Sequence, residues 1–168
     1  MEFFAQWNKY QFRILTEEDI PQIYELFLGN PLYFQHCPPQ PSFESIRQDM
    51  YALPPGKGLE DKYYGGLFDG ERLIAVLDLI TGYPNGKTLF IGFFMMRKEA
   101  QGNGLGTKII SELCREAYAQ DLKWIRLGYV KGNPQSEAFW CKNLFMKTRT
   151  EARTEQYTIV IMERDLSK

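Results

Sequence analysis

Three glycines at alternating positions, Gly102, Gly104 and Gly106, separate an apolar run at residues 89–96 from an amphipathic one at residues 105–119. No other feature constrains the chain as much: a strand leads into a loop free of side chains, and a helix begins at once. The first N–H groups of a helix lack intrahelical partners, and its N-terminus carries about half a positive charge. Glycines there let backbone donors approach an anion, because no Cβ intervenes and positive φ is permitted. The plain alternative is a glycine turn that only joins strand to helix.

Spacing decides what kind of anion loop this is. A P-loop reads G-x-x-x-x-G-K-S/T, but five residues beyond Gly102 stands Thr107, and five beyond Gly104 stands Ile109. A dinucleotide loop reads G-x-G-x-x-G with an acidic residue about 20 positions on, where Trp124, Ile125 and Arg126 stand instead. The spacing that fits is Q/R-x-x-G-x-G/A, with Gln101, Gly104 and Gly106. It resembles the phosphate-binding signature of the GNAT superfamily of acetyl-CoA-dependent N-acetyltransferases.

A second stretch, residues 133–145, is similar to a later motif of that superfamily, N-x-x-A-x-x-F-Y-x-x-x-G-F. Asn133, Phe139 and Phe145 match it and Ser136 keeps a small residue, while Trp140 replaces tyrosine and Leu144 replaces glycine. The two motifs keep the superfamily's order and cover the C-terminal half of the chain. The N-terminal third carries no comparable signature.

At 168 residues, with 44% hydrophobic and 15% aromatic content, the chain suits one domain, residues 1–168, with a buried core. A net charge of −1 offers no surface for nucleic acid. No apolar stretch approaches the roughly 18 residues of a membrane span, so no membrane contact is expected. Residues 1–10 lack the basic start and apolar core of a signal peptide. Cys37, Cys114 and Cys141 are odd in number and have no C-x-x-C spacing, which points to a reducing cytoplasm. One histidine without a Cys/His cluster predicts no metal.

Along the chain, residues 11–15 read as a strand and Thr16 as the cap of a helix with Ile20, Ile23, Tyr24, Phe27 and Leu28 on its apolar stripe. Gly29-Asn30-Pro31 ends that helix, and Ser42 caps another over residues 43–51. Residues 63–68 and 72–80 flank Asp69-Gly70 as a hairpin, and residues 87–96 follow as a strand. Leu105, Ile109, Leu113 and Ala117 fall on one face of the helix after the glycines. A strand at 123–130, a helix begun by Asn133 and Pro134, and a hairpin of strands at 145–153 and 155–164 complete the chain. The fold class is therefore mixed α/β: a mostly antiparallel central sheet, one parallel pair across the glycine-loop helix, and about four flanking helices. The resemblance implies the GNAT fold, with that parallel pair splayed at the cofactor site. The last hairpin leaves an edge strand through which a homodimer can form.

The resemblance implies an acyltransferase that passes an acetyl group from acetyl-CoA to a primary amine by direct attack. The expected cofactor contacts are Gln101, Gly102, Asn103, Gly104, Leu105, Gly106 and Thr107 at the pyrophosphate. Phe94, Met95 and Met96 align with the strand that pairs with the pantetheine arm, and the backbone N–H of Met96 is the expected donor to the thioester oxygen. One such donor is typically worth about 10²–10³ in rate. Asn133 is either a pantetheine contact or a helix N-cap, since both roles want the same residue type. Trp140 joins the cofactor contacts, but its indole N–H cannot protonate a leaving thiolate as the superfamily's tyrosine can. Water or another group then serves, or the protein is a catalytically impaired acetyl-CoA sensor.

Asp78 interrupts an apolar strand on the face of Ile74, Val76 and Ile80. A carboxylate there is costly unless it is paired or faces a wet cleft. It is thus a base, an amine anchor, or the partner of an Arg or Lys. Tyr33, Phe34 and His36 fall in the region that lines the acceptor pocket in the superfamily, with a packed loop histidine as the alternative for His36. Nothing in the chain identifies the amine.

Overall fold

The apolar and alternating runs enter one eight-stranded sheet in a computed structural model that describes residues 3–168. Met1 and Glu2, where the signal-peptide reading begins, lie outside the described residues. The strands are β1 (Gln6–Trp7), β2 (Tyr10–Ile14), β3 (Lys62–Asp69), β4 (Arg72–Thr81), β5 (Thr88–Met96), β6 (Trp124–Val130), β7 (Met146–Arg153) and β8 (Thr158–Asp165). Their order is β1-β2-β3-β4-β5-β6-β8-β7. Among the described residues only β5 and β6 pair in parallel. A parallel neighbour requires a crossover, and the helix after the glycines supplies it. The helices are α1 (Ile20–Leu28), α2 (Pro31–His36), α3 (Phe43–Tyr51), α4 (Leu105–Ala119) and α5 (Pro134–Lys142).

Two cores sandwich the sheet. Ile109, Ile110, Leu113 and Ala117 of α4 pack with Ala75, Leu77 and Leu79 of β4. Ile20, Ile23, Ile46 and Met50 of α1 and α3 pack with Leu73 and Val76 of the same strand. Coverage on both faces explains why β4 reads as a nearly continuous apolar run and not an alternating one. No helix among the described residues is long and apolar enough to cross a membrane.

Three local readings change. The region after Gly29 is not all loop: Pro31 starts the six-residue α2, whose fixed φ suits a first helical position and whose length is too short for a periodic signal. Leu28 closes α1 at 54% exposure, and Leu26 takes its place in the core. A two-residue strand, β1, pairs with β2 ahead of the first strand expected.

Arg13 holds Asp19 at the start of α1 by two hydrogen bonds of 2.8 and 2.9 Å, and the Thr16 N–H donates a third at 2.8 Å. Arg13 keeps the Asp19 carboxyl below its ordinary range, against the opposing effect of burial. A carboxyl with a depressed native pKa stabilises the fold fully above its unfolded value, near 3.9, and loses that contribution as pH falls through the native value. Asp19→Asn is expected to cost about 1–3 kcal/mol at pH 7. It should also flatten the acid limb of stability below about pH 4, as followed by urea unfolding across pH. An unchanged acid limb would contradict this assignment.

Candidate active site

The parallel ladder between β5 and β6 runs from Thr88↔Trp124 to Ile91↔Leu127 and stops. The next residues are Gly92 and Gly128. Beyond them β5 stays paired with β4 and β6 with β8, so the two strands part like a fork. The fork opens a cleft of about 640 Å³, within the size range of small-molecule sites, with Phe93, Phe94 and Met95 on one wall and Tyr129 and Val130 on the other. Gly128 is required because an added Cβ would come within 2.5 Å of Ile159 Cγ2.

Backbone polarity at the fork follows from one bond. The Arg97 N–H donates to Ile74 O at 2.7 Å, so Arg97 faces β4. Antiparallel strands alternate, which turns Met95 toward β4 and turns Phe94 and Met96 toward the fork. The Met96 carbonyl is claimed by side chains: Gln101 donates to it at 2.9 Å and Asn30 at 3.1 Å. Gln101 also donates to Asn30 Oδ1 at 2.8 Å, which ties the glycine loop to both β5 and the junction of α1 with α2.

At the mouth of the fork, Gly104 is the N-cap of α4 with φ 83°. Gly102 has φ 85°, and a Cβ on either glycine would meet no heavy atom within 4 Å. Their requirement is conformational, and the space above them is open to a ligand. Gly106 differs. A Cβ there would lie 2.9 Å from Met96 Sδ and 3.1 Å from Phe139, so this glycine allows close packing of α4 on β5 and α5. Gln101, Gly102, Gly104, Gly106 and Thr107 form part of the cleft wall. Asn103 instead accepts the Leu105 N–H at 3.2 Å, and Leu105 packs against the α4 core.

On α5, Asn133 is buried and its Oδ1 accepts the Ser136 N–H at 3.2 Å, the N-cap arrangement. It stands behind the cleft wall, which Ser136, Phe139 and Trp140 form on this side. Trp140 is 7% exposed and packs edge-on to Phe139 at 4.9 Å and Phe145 at 5.2 Å and tilted against Phe94 at 6.1 Å.

At the opposite end Tyr33, Cys37 and Tyr157 converge on the cleft. Tyr33 sits edge-on to Phe93 at 5.5 Å. The Tyr157 phenol is pushed up to about 12, first by burial and then by the Cys37 thiol. Phe34 turns into the α1–α3 core, 5.4 Å from Phe27, and His36 closes α2 away from the cleft wall. Asp78 is also off the wall. Lys62 Nζ, on a side chain 3% exposed, binds its Oδ2 at 3.1 Å. Burial raises the Asp78 carboxyl, with the Lys62 charge opposing. Its carboxylate lies directly over Gly92, where an added Cβ would be 2.8 Å from Oδ2.

Asn30, Gly92, Gly128, Cys37 and Tyr157 are site residues that the sequence reading missed. The two glycines had a usable signal, because a glycine inside an apolar strand marks a bulge or a close approach. The others are brought in only by tertiary contact. Among the described residues no three His, Cys, Asp or Glu side chains gather where they could hold a metal ion.

A family model described as acetyltransferase (GNAT) family matches residues 20–144. No curated protein is significantly similar to the chain. An acetyltransferase from Thermus thermophilus superposes with TM-score 0.72 at 22% identity, covering 93% of this chain and 96% of that one. A Salmonella typhimurium acetyl transferase that modifies the N-terminal serine of ribosomal protein L7/L12 gives 0.73 at 18% identity, with 95% and 96% covered. Spermidine N-acetyltransferase from Vibrio cholerae, in complex with CoA and spermine, gives 0.67 at 16% identity, with 96% and 98% covered.

Proposed function

The chain belongs to the acetyltransferase (GNAT) family and is an acyltransferase, and on that footing we propose that it moves an acetyl group from acetyl-CoA to a primary amine by direct attack in a ternary complex. The observation that carries this reading is the fork itself, with a helix N-terminus and two positive-φ glycines at its mouth. The open space over Gly102 and Gly104 fits a pyrophosphate, and the apolar walls fit a pantetheine arm. The N–H groups of residues 102–107 would hold the phosphates. The edge of Phe94 to Met96 would pair with the pantetheine arm as an added strand, with the Met96 N–H toward the thioester oxygen.

In the step so held, a C–N bond forms, the C–S bond breaks and CoA leaves as a thiolate that takes up a proton. Asp78 belongs to the acceptor side, either accepting the amine's proton through water or anchoring an ammonium. Positioning supplies much of the acceleration in such a reaction, so a packed Trp140 does not by itself remove activity. The domain works as one unit, in a reducing cytoplasm that suits its three free cysteines, and the edge strand β7 is open to a second copy.

Acetyl-CoA at 100 times its Kd should stabilise the fold by about 2.7 kcal/mol, a rise of about 5–10 °C in Tm for a chain of this length. ATP and NAD should give no comparable rise. A flat response to millimolar acetyl-CoA would remove this reading. One observation favours a second reading, an acetyl-CoA sensor without turnover: Trp140 replaces an ionisable group and is buried. A rise in Tm with no thiol released across a broad amine panel would select it.

A further inference from the structure

Asn30 stands at the N-cap of α2, yet its side chain makes no capping bond. Asparagine is among the best residues for that position, because its side-chain oxygen can accept an N–H of the first turn. Here the oxygen accepts Gln101 Nε2 at 2.8 Å instead. Asn30 Nδ2 is committed elsewhere too, donating to Leu26 O at 3.0 Å and to Met96 O at 3.1 Å. The helix goes without its cap, and the bonds made in its place reach residues 66 and 71 positions along the chain. A local rule broken in favour of such distant contacts is expected at a functional position.

The target of these bonds is the Met96 carbonyl. The ladder to β6 ends at Ile91, so the N–H and C=O of Met96 point into the fork with no strand beside them among the described residues. Gln101 Nε2 at 2.9 Å and Asn30 Nδ2 at 3.1 Å fill the two acceptor positions of that carbonyl. The two side chains also bond each other, which closes a triangle in which no member moves alone. On the other side of the same peptide group, the Arg97 N–H is fixed to Ile74 O at 2.7 Å. The peptide group after Met96 is thus held at both ends, and the Met96 backbone has little freedom to swing its own open N–H.

We propose that Asn30 is a positioning residue for acetyl transfer: by holding the Met96 carbonyl together with Gln101, it fixes the direction of the Met96 N–H. The task of that N–H rests on the acetyl-transfer reading, in which it faces the thioester oxygen. A donor stabilises the charge that develops on the oxygen best when it is already aimed before the amine adds, because no reorganisation is then needed. Asn30 also begins the helix that brings Tyr33 to the cleft, so the thioester donor and the acceptor end are joined through one side chain.

Asn30→Ser separates this role from a structural one. Serine caps a helix about as well as asparagine, so α2 gains the bond it lacks, while the shorter side chain cannot reach Met96 O and Gln101 together. In this variant kcat should fall about tenfold or more, part of the 10²–10³ that one such donor is worth, and the Kd of acetyl-CoA should stay within about threefold. The infrared band of the thioester carbonyl, read with carbonyl-labelled acetyl-CoA bound, should lie at lower frequency in the wild type than in Asn30→Ser. A capping residue would show neither change, since serine restores the cap. Wild-type kcat or an unmoved band in Asn30→Ser overturns the proposal and leaves the acetyl-transfer reading standing. If the wild type does not bind acetyl-CoA, that reading falls, and hydrogen exchange decides the clamp separately. The Arg97 amide belongs to the same peptide group as the Met96 carbonyl. Its exchange at least tenfold faster in Asn30→Ser supports the clamp, and equal exchange refutes it.

Discussion

Gly104→Val is expected to weaken acetyl-CoA binding by about tenfold to a hundredfold while the protein stays folded. Gly104 holds φ 83° and ψ 0° as the N-cap of α4. A new Cβ would meet no heavy atom within 4 Å, so the cost is not a clash within the fold. It is conformational, because a β-branched residue in the left-handed region is strained by about 1–3 kcal/mol. The loop relieves that strain by leaving the backbone arrangement that presents its N–H groups. At about 1.4 kcal/mol per tenfold, the strain converts to the loss in affinity stated. Gly86 is the control, since a Cβ there also meets nothing and its φ is ordinary. Calorimetric titration of both variants checks the expectation, and wild-type affinity in Gly104→Val would break the link between this loop and the cofactor.

Ile109→Ala should produce the largest loss of stability. Ile109 is fully buried one turn into α4 and belongs to the core shared with Leu77 and Leu89. Deleting its side chain in a packed core costs about 2–5 kcal/mol, through lost burial and the cavity left behind. At about 2–4 °C per kcal/mol for a chain of this length, Tm should fall by about 4–20 °C. Lys108→Ala, at an exposed neighbouring position, should stay within about 0.5 kcal/mol of wild type. Acetyl-CoA should recover part of the loss, since it binds only the folded form. A fall of less than a degree would mean that α4 is held by something other than this core.

Several features were legible because their causes are local. The Asp69-Gly70 turn, the Ser42 cap and the limits of α4 each depend on a few adjacent residues, and the structure has them where the pattern placed them. The glycine loop was legible for the same reason, although one glycine does other work. Gly106 serves the packing of Met96 and Phe139, which no spacing rule distinguishes from anion binding. Asn133 is an N-cap in the structure, one of the two roles its residue type allowed. Asp78 was visible as an anomaly in an apolar strand, but its partner Lys62 comes from the neighbouring strand, 16 residues away. The acceptor end was read least well. Tyr33 reaches the cleft while Phe34 turns into the core, because adjacent residues on a helix point in different directions.

Local pattern was enough for every strand and helix but β1 and α2, for the loop at the start of α4 and for the family to which the chain belongs, since periodicity, caps and glycine spacing act over a few residues. Three-dimensional packing set the rest: β5 and β6 part at Gly92 and Gly128, Tyr33 and Tyr157 both line the cleft, and Asp78 lies under Gly92 with one oxygen unpaired. Those outcomes depend on which strands pair and where their ladders end. Burial and charge state then follow from neighbours far apart in the chain, and desolvation gives each buried charge a cost that no local pattern records.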